Sequence, residues 1–408
     1  MRIAIVQEHV DVRRGGAESS TLEMAAALAE LGHDVTLLHS GDPAPDAAAA
    51  APNARTLRLQ PIAARGATRL RRTREYLRRA AEHCRTGGYD IVHAVVPLAG
   101  CHVYQPRGGT YAETIARSAA LAGSTWGRAL KRLSRRLNRR QQFLLRAERS
   151  LLSGHDAPVT ACVSEYVRRQ VLAEVPSPPG DAVQVVFNGV DVQCLTDEAA
   201  EAARSAWRAA RGVRADELLA LFVAHNFKLK GLAELIRALA LPSRITWRLA
   251  VVGRDNPRPF HALARRLEVA HRVDFVGAMP DARTAYAAAD VLAHPTWYDP
   301  CSRVVLEALC CGLPVVTTRF NGAAEALMPG VNGIVIDSPR DTAALARAIE
   351  RCLAPELKAG ARAARAAARE RLSMRRHARE LAALYERIRG RVGGASVAGP
   401  NAPSLGST

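Results

Sequence analysis

Residues 294–325 read HPTWYDPCSRVVLEALCCGLPVVTTRFNGAAE. The run predicts a strand end, a loop, a helix, a tight turn, a second strand and a second loop, one βαβ unit of a buried parallel sheet. Asp299 and Glu307 stand eight positions apart, with Pro300 between them to open the helix. Proline suits a first helical turn, where its missing N–H costs nothing. The amides of Cys301, Ser302 and Arg303 are then expected among the unpaired donors of a helix N-terminus, which with the macrodipole suit a phosphate or another electron-rich ligand. Glu307 falls two turns along, where a carboxylate can accept paired hydroxyl protons such as those of a ribose. The plain alternative is a βαβ unit whose acids merely cap a helix. The full ordered run, with Gly312-Leu313-Pro314-Val315-Val316 and then Glu325 behind it, favours a site.

The pattern resembles the acidic-x7-acidic signature of retaining family-4 glycosyltransferases of the GT-B fold. That signature usually opens with Glu, and this chain has Asp299, one methylene shorter. The resemblance implies an α/β architecture of two Rossmann-like, doubly wound domains facing a cleft, with a C-terminal helix crossing back to the first. It implies that Glu307 grips the ribose of a nucleotide-sugar donor, while the backbone around Cys301–Arg303, with Asp299 and Glu325, holds sugar hydroxyls.

A chain of 408 residues, 48% of them hydrophobic, has room for two or three domains with their own cores. No apolar run reaches the ~20 residues that span a bilayer. The opening Met-Arg-Ile-Ala-Ile-Val-Gln is expected to be a first strand, its apolar part too brief for a signal peptide. Eight scattered cysteines without C-x-x-C or zinc spacing read as reduced thiols of a cytosolic protein. Of the net charge of +18, residues 65–79 and 124–149 together carry +14. Clustering of that kind implies an acidic partner: anionic lipid, phosphorylated glycan or nucleic acid. In 124–149, Trp126, Leu130, Leu133 and Leu137 recur at helical spacing among Lys131, Arg132, Arg135, Arg136, Arg139 and Arg140. A long basic amphipathic helix of this kind can lie in a membrane interface, and a core-packed helix with a solvated basic back is the alternative.

Along the first half, strand 2–7, the loop with Gly15-Gly16, a helix and strand 34–39 make a doubly wound opening. Gly15 and Gly16 let backbone approach a ligand, and in the resembled family such a loop lies beside the donor phosphates. The strand near 101–105 and the loop after it, with His102, Arg107 and Tyr111, are expected to face the cleft on the acceptor side. Its Tyr111-Ala112-Glu113 is similar to the glucosyltransferases of lipopolysaccharide inner core, which have an acid where Gly108 stands here. Ser164 is expected to cap a helix, and Asn188-Gly189-Val190-Asp191 to mark the crossing to the second domain.

In the second half, Lys230-Gly231 matches the family's diphosphate-binding K-G, with Lys228 available nearby, and the resemblance implies that Gly277 and Ala278 lie beside the nucleotide base. The expected division is 1–191 acceptor domain, 192–375 donor domain, 376–392 returning helix and 393–408 a Gly/Ser/Pro-rich disordered tail.

The function this implies is a metal-independent transfer of hexose, glucose from UDP-glucose, to a glycolipid or envelope-glycan hydroxyl. The expected catalytic residues are Asp299, Glu307 and Lys230, with no cofactor beyond the nucleotide sugar, and the protein is expected on the inner face of the cytoplasmic membrane. No Asp-x-Asp metal motif occurs. A degenerate transferase that only binds glycolipid is the first rival. A nucleic-acid-binding protein is the second, and aromatics at 5% disfavour it because stacking platforms need them.

Overall fold

The computed structural model describes residues 1–11, 16–41, 56–121, 138–175, 180–191, 194–214, 216–243, 245–279 and 281–395. Its first half runs β1 (Arg2–Val6), α1 (Gly16–Glu30), β2 (Asp34–His39), β3 (Leu57–Pro61), α2 (Arg69–Thr86), β4 (Ile91–Ala94), β5 (Val103–Tyr104), α3 (Tyr111–Ala120), α4 (Arg139–Ser153), β6 (Val159–Cys162), α5 (Glu165–Glu174) and β7 (Val183–Val185). The seven strands are parallel in the order β3-β2-β1-β4-β5-β6-β7. The second half runs α6 (Asp197–Ala209), β8 (Leu218–Val223), α7 (Leu232–Leu239), β9 (Trp247–Val252), α8 (Arg258–Arg266), β10 (Val273–Gly277), α9 (Arg283–Ala288), β11 (Val291–His294), α10 (Arg303–Cys310), β12 (Val315–Thr318), β13 (Gly333–Ile336), α11 (Thr342–Cys352), α12 (Pro355–Arg371) and α13 (Met374–Ala395). Its six strands are parallel in the order β10-β9-β8-β11-β12-β13.

Strands such as Arg2–Val6 (RIAIV) and Leu218–Val223 (LLALFV) are near-continuous apolar runs because helices cover both faces of a parallel sheet. Each sheet adds strands in opposite directions from its middle, β1 against β4 and β8 against β11. Ligand crevices of doubly wound sheets form at these switch points, beyond the carboxyl ends of the strands. Ser164 caps α5 as expected, its hydroxyl accepting from the Val167 amide at 3.1 Å.

The last helix, α13, packs on α1 of the first domain, burying Met374, Ala378, Leu381, Leu384 and Tyr385 beside Leu22, Met24 and Leu28. Each fully buried leucine there contributes about 1.5–3 kcal/mol. The helix continues through Gly393 and Gly394 to Ala395, so the expected tail begins later than residue 393; residues 396–408 lie outside the described residues. Two helical glycines cost about 1 kcal/mol each. The two crossings between the domains lie side by side: the Val190 amide donates to the Leu372 carbonyl at 2.9 Å and the Met374 amide to the Val190 carbonyl at 3.0 Å. Gly189 is required there, since a Cβ would stand 2.7 Å from the Ser373 carbonyl oxygen.

One expected helix lies partly outside the described residues, and another starts late. Residues 122–137 lie outside the described residues, and with them Trp126, Lys131, Arg132, Arg135 and Arg136; the described helix begins at Arg139, capped by Asn138, and runs to Ser153. The helix after Pro300 begins three residues late, at Arg303. Its approach is pinned instead, the Pro300 carbonyl by the Ser164 hydroxyl at 2.7 Å and the Ser302 amide by Asn321 Oδ1 at 3.1 Å.

Candidate active site

A cavity of about 850 Å3 lies between the two domains at the carboxyl ends of the second sheet's strands. The first domain supplies Gly16, Ser19 and Glu23 from the start of α1, with Asp191 from the crossing. The second supplies His225 after β8, Arg254 after β9, Ala278 and Met279 after β10, Tyr286 of α9, and Arg303 and Glu307 of α10. Gly15, in the loop before α1, lies outside the described residues.

A chain of charged and hydroxyl groups crosses this cavity. Glu23 Oε1 accepts from Arg303 Nη2 at 2.7 Å, the same nitrogen stands 3.4 Å from Glu307 Oε1, and Tyr286 Oη donates to Glu307 Oε2 at 2.8 Å. Arg303 and Glu307 meet because they are four residues apart on one helix face. Burial works against the guanidinium, but the Glu23 and Glu307 carboxylates outweigh it and hold Arg303 firmly cationic. Burial also raises the pKa of Glu23, against the pull of Arg303. Glu23 Oε2 and Arg303 Nη1 are buried with no hydrogen-bond partner. An acceptor and a donor left unpaired at a cavity wall are costly unless a polar ligand completes them.

Beside this chain sits a tighter cluster. Lys230 Nζ donates to Asp299 Oδ2 at 2.6 Å and to the Tyr298 carbonyl at 3.1 Å, and His294 Nε2 lies 3.7 Å from the same carboxylate oxygen. Burial would raise the Asp299 pKa, but Lys230 and His294 win and hold it well below the usual carboxylate range. The turn that presents Lys230 needs its glycine: Gly231 has φ +84°, and a Cβ would stand 2.1 Å from the Pro295 carbonyl. Lys230 and Asp299 therefore satisfy each other, and neither lines the cavity.

Other expected site residues are engaged elsewhere. Glu325 is a clasp between domains, its two oxygens accepting from the Glu165 amide at 2.8 Å and the Tyr166 amide at 2.6 Å at the N-terminus of α5. Cys301 is buried, its carbonyl accepting from Asn188 Nδ2 at 3.4 Å, and Ser302 spends its amide on Asn321 and its hydroxyl on His294 Nε2. Of the three expected anchors on this loop only Arg303 reaches the cavity, through its side chain. Lys228 is exposed on its loop and outside the lining. Gly277 stands outside the lining, its carbonyl accepting from the Gly253 amide at 2.8 Å, whereas its expected neighbour Ala278 lines the wall with Met279.

The acceptor-side candidates are also corrected. Arg107 is fully buried, bonded to Ser20, to Asn188 Oδ1 at 2.7 Å, to Gln105 Oε1 at 2.6 Å and to His377 Nε2 at 3.2 Å, and burial lowers its pKa to about 10. It ties α1, the crossing and α13 together. His102 Nδ1 accepts the Val92 amide at 2.9 Å and so completes the sheet. Tyr111 is half-buried at the start of α3, where its amide donates to Glu148 Oε2 at 2.7 Å. Of the membrane candidates, Arg139 is exposed, but Arg140 is drawn inward by Glu8 Oε2 at 2.5 Å and Thr73 Oγ1 at 2.8 Å. Arg140, Arg69, Arg72, Glu8 and Glu18 line a second cavity, of about 730 Å3, at the carboxyl ends of β1 and β2. The first turn of α1 separates the two cavities, with Gly16 and Ser19 on one and Glu18 on the other.

The sequence reading missed Arg254, Tyr286 and Glu23. For Arg254 a signal existed: it follows β9 at the strand's exit, where ligands of such sheets gather. Tyr286 and Glu23 stand in helices at positions that nothing local marks.

Two facing Rossmann-like domains, a cleft at both switch points and a returning C-terminal helix define a GT-B glycosyltransferase. Comparison with known proteins agrees: residues 14–193 match the family described as Glycosyltransferase Family 4, and residues 203–371 match Glycosyl transferases group 1. The chain belongs to these nucleotide-sugar-dependent glycosyltransferases. It is 28% identical over 331 residues to the lipopolysaccharide glucosyltransferase WaaG of Escherichia coli (strain K12), covering 80% of this chain and 82% of that one. The crystal structure of WaaG superposes with a TM-score of 0.75 at 26% identity, covering 94% of this chain and 99% of WaaG. A shorter match, 36% identical over 149 residues (36% of this chain, 43% of the other), is to the lipopolysaccharide core biosynthesis glycosyltransferase LpsE of Rhizobium meliloti (strain 1021).

Proposed function

We propose that this protein is a retaining glucosyltransferase that moves glucose from UDP-glucose to a hydroxyl of a lipopolysaccharide-core or related envelope glycan, without a metal ion. The observation that carries the reading is the Glu23–Arg303–Glu307–Tyr286 chain across the interdomain cavity, with a donor and an acceptor atom unpaired. Glu307 accepts the ribose hydroxyl protons. Arg254 and Arg303 neutralise the diphosphate, a role that cations fill without metal. Lys230 joins them by exchanging Asp299 for phosphate, which frees the Asp299 carboxylate for a sugar hydroxyl. The leaving phosphate takes the acceptor's proton during attack from the same face, so the missing acid at Gly108 is no obstacle. The second cavity, with Arg69, Arg72 and Arg140, is the acceptor's place, and the start of α1 is where the two substrates meet.

The names of the relatives WaaG and LpsE support the choice of acceptor. Among the described residues no helix is long and apolar enough to cross a membrane, and the exposed arginines of α2 support peripheral attachment to an anionic leaflet. The large hydrophobic residues exposed among those described are Met328, Val331 and Val335, with no aromatic platform, which weighs against a nucleic-acid partner.

A thermal-shift comparison of UDP, GDP and ADP tests the donor reading, because a ligand of the native state raises the melting temperature. A rise with UDP alone, lost in Glu307→Gln, is expected. No rise with any nucleotide would overturn it.

A further inference from the structure

Eight cysteines are free thiols, and six of them are buried. The two that are not buried, Cys194 and Cys311, face each other with Sγ atoms 3.8 Å apart. They belong to different parts of the chain. Cys194 stands in the crossing between domains, three residues after Asp191 of the donor cavity, and Cys311 closes α10, its amide donating to the Glu307 carbonyl at 3.0 Å. Cys311 also lines a separate cavity of about 540 Å3, which gives small solutes a route to the pair.

Around Cys194 the charge is positive. Arg365 and Arg369 of α12 lie beside it, and Arg369 Nε binds the Cys310 carbonyl at 2.9 Å, the same carbonyl that the Cys194 thiol reaches at 3.2 Å. The Cys311 hydrogen bond, with help from Arg369, lowers the pKa of Cys194, while Cys311 keeps its proton. Two partly exposed thiols 3.8 Å apart, one of them beside two guanidinium groups, are the arrangement of an attacking and a resolving cysteine.

We propose that Cys194 and Cys311 are an oxidation site that closes to a disulfide with a hydroperoxide as oxidant. The Cys194 thiolate attacks one peroxide oxygen and the O–O bond breaks, giving a sulfenic acid and hydroxide. The Cys311 sulfur then attacks the sulfenic sulfur and water leaves. In total two thiols lose two hydrogens and one hydroperoxide is reduced. The approach from 3.8 Å to the ~2.05 Å of a disulfide falls on rotation of the two side chains. The bond ties the crossing to the end of the helix that carries Arg303 and Glu307. Oxidation therefore lowers donor affinity, a consequence that rests on the donor site proposed above.

The test treats the full-length protein with hydrogen peroxide near neutral pH and maps its peptides without reductant. A reversible link between the peptides holding Cys194 and Cys311, formed before the six buried thiols react, is expected. Cys310→Ser keeps the link, whereas Cys194→Ser and Cys311→Ser abolish it. Uniform modification of all cysteines, a link through Cys310, or Cys194 oxidised without a link overturns the site. UDP thermal shifts on reduced and oxidised protein read the consequence: a shift at least threefold smaller after oxidation, restored by dithiothreitol, is expected. Equal shifts overturn the coupling. No shift even in the reduced protein, with the link present, refutes the donor reading and leaves the oxidation site standing.

Discussion

The two walls of the cleft are built differently. On the second-domain wall, side chains leave strand exits and the first turns of short helices and point straight into the cavity: Arg254 after β9, Arg303 and Glu307 on α10. On the first-domain side, the polar residues of the loop after β5 turn inward, and Arg107 becomes a buried hub under α13. The second-domain wall turns its charges toward the cavity; the first domain uses several to hold itself to the returning helix. Residues of the same chemical type thus have opposite uses, decided by what packs over them.

Substitutions can break this contrast, and the largest effect is expected at the hub. Arg107→Met leaves Ser20, Asn188 and Gln105 without their cation, and it is expected to cost about 3 kcal/mol or more in urea unfolding. Donor affinity of the folded fraction should remain, and a folded, fully stable variant that has lost UDP binding would place Arg107 in the site instead.

Next is Glu148, whose carboxyl is buried against Tyr104 Oη at 2.6 Å and the Tyr111 amide, and whose pKa burial raises to about 7. The folded state holds a proton that the unfolded chain releases near pH 4.5, so stability is lost as pH rises from about 4.5 to 7 and is level above. Glu148→Gln stays neutral throughout. Its advantage over the native protein is expected to grow across that window to about 2–3 kcal/mol, measured by denaturant midpoints at pH 5 and pH 8.

On the donor wall, Glu307→Gln is expected to cut turnover at least tenfold, about 1.4 kcal/mol, with the melting temperature almost unchanged. An unchanged rate removes Glu307 from the site. Arg254→Ala should raise the dissociation constant for UDP roughly three- to tenfold in calorimetry, with normal unfolding, as fits one partly solvated phosphate contact. The smallest effect belongs to Arg139→Ala, which should weaken binding to anionic vesicles by less than the roughly 1 kcal/mol of one surface cation.

What was legible follows the same division. The fold was legible because parallel strands buried on both faces appear as apolar runs; a helix after Pro300 was legible too, but not its start at Arg303, which the contacts of Pro300 and Ser302 with Ser164 and Asn321 set. Glu307 was singled out by its spacing from Asp299 and Pro300, and the structure places it on the cavity wall, four residues from Arg303. Lys230 was singled out through Gly231, yet its pairing with Asp299 joins residues 69 apart in sequence and left no local mark. The same holds for Glu325, which looks like a site acid in the loop and serves as a clasp onto α5. His102 and Arg107 misled because a strand end and its loop were expected to face the cleft, whereas His102 binds the interior strand β4 and α13 brings His377 over Arg107.

The paired crossings at Val190 and Ser373 have a mechanical meaning. Two adjoining strips of chain act like the spine of a book: the covers swing about one line, and any skew between them strains both strips together. Gly189 and Asn188 sit at that spine, and Arg376 holds the carbonyls of Phe187 and Asn188 at 2.7 and 2.9 Å from the other strip. Deleting α13 would cut one strip and leave the covers hanging by a thread, free to turn in directions that no longer bring Glu23 to Arg303.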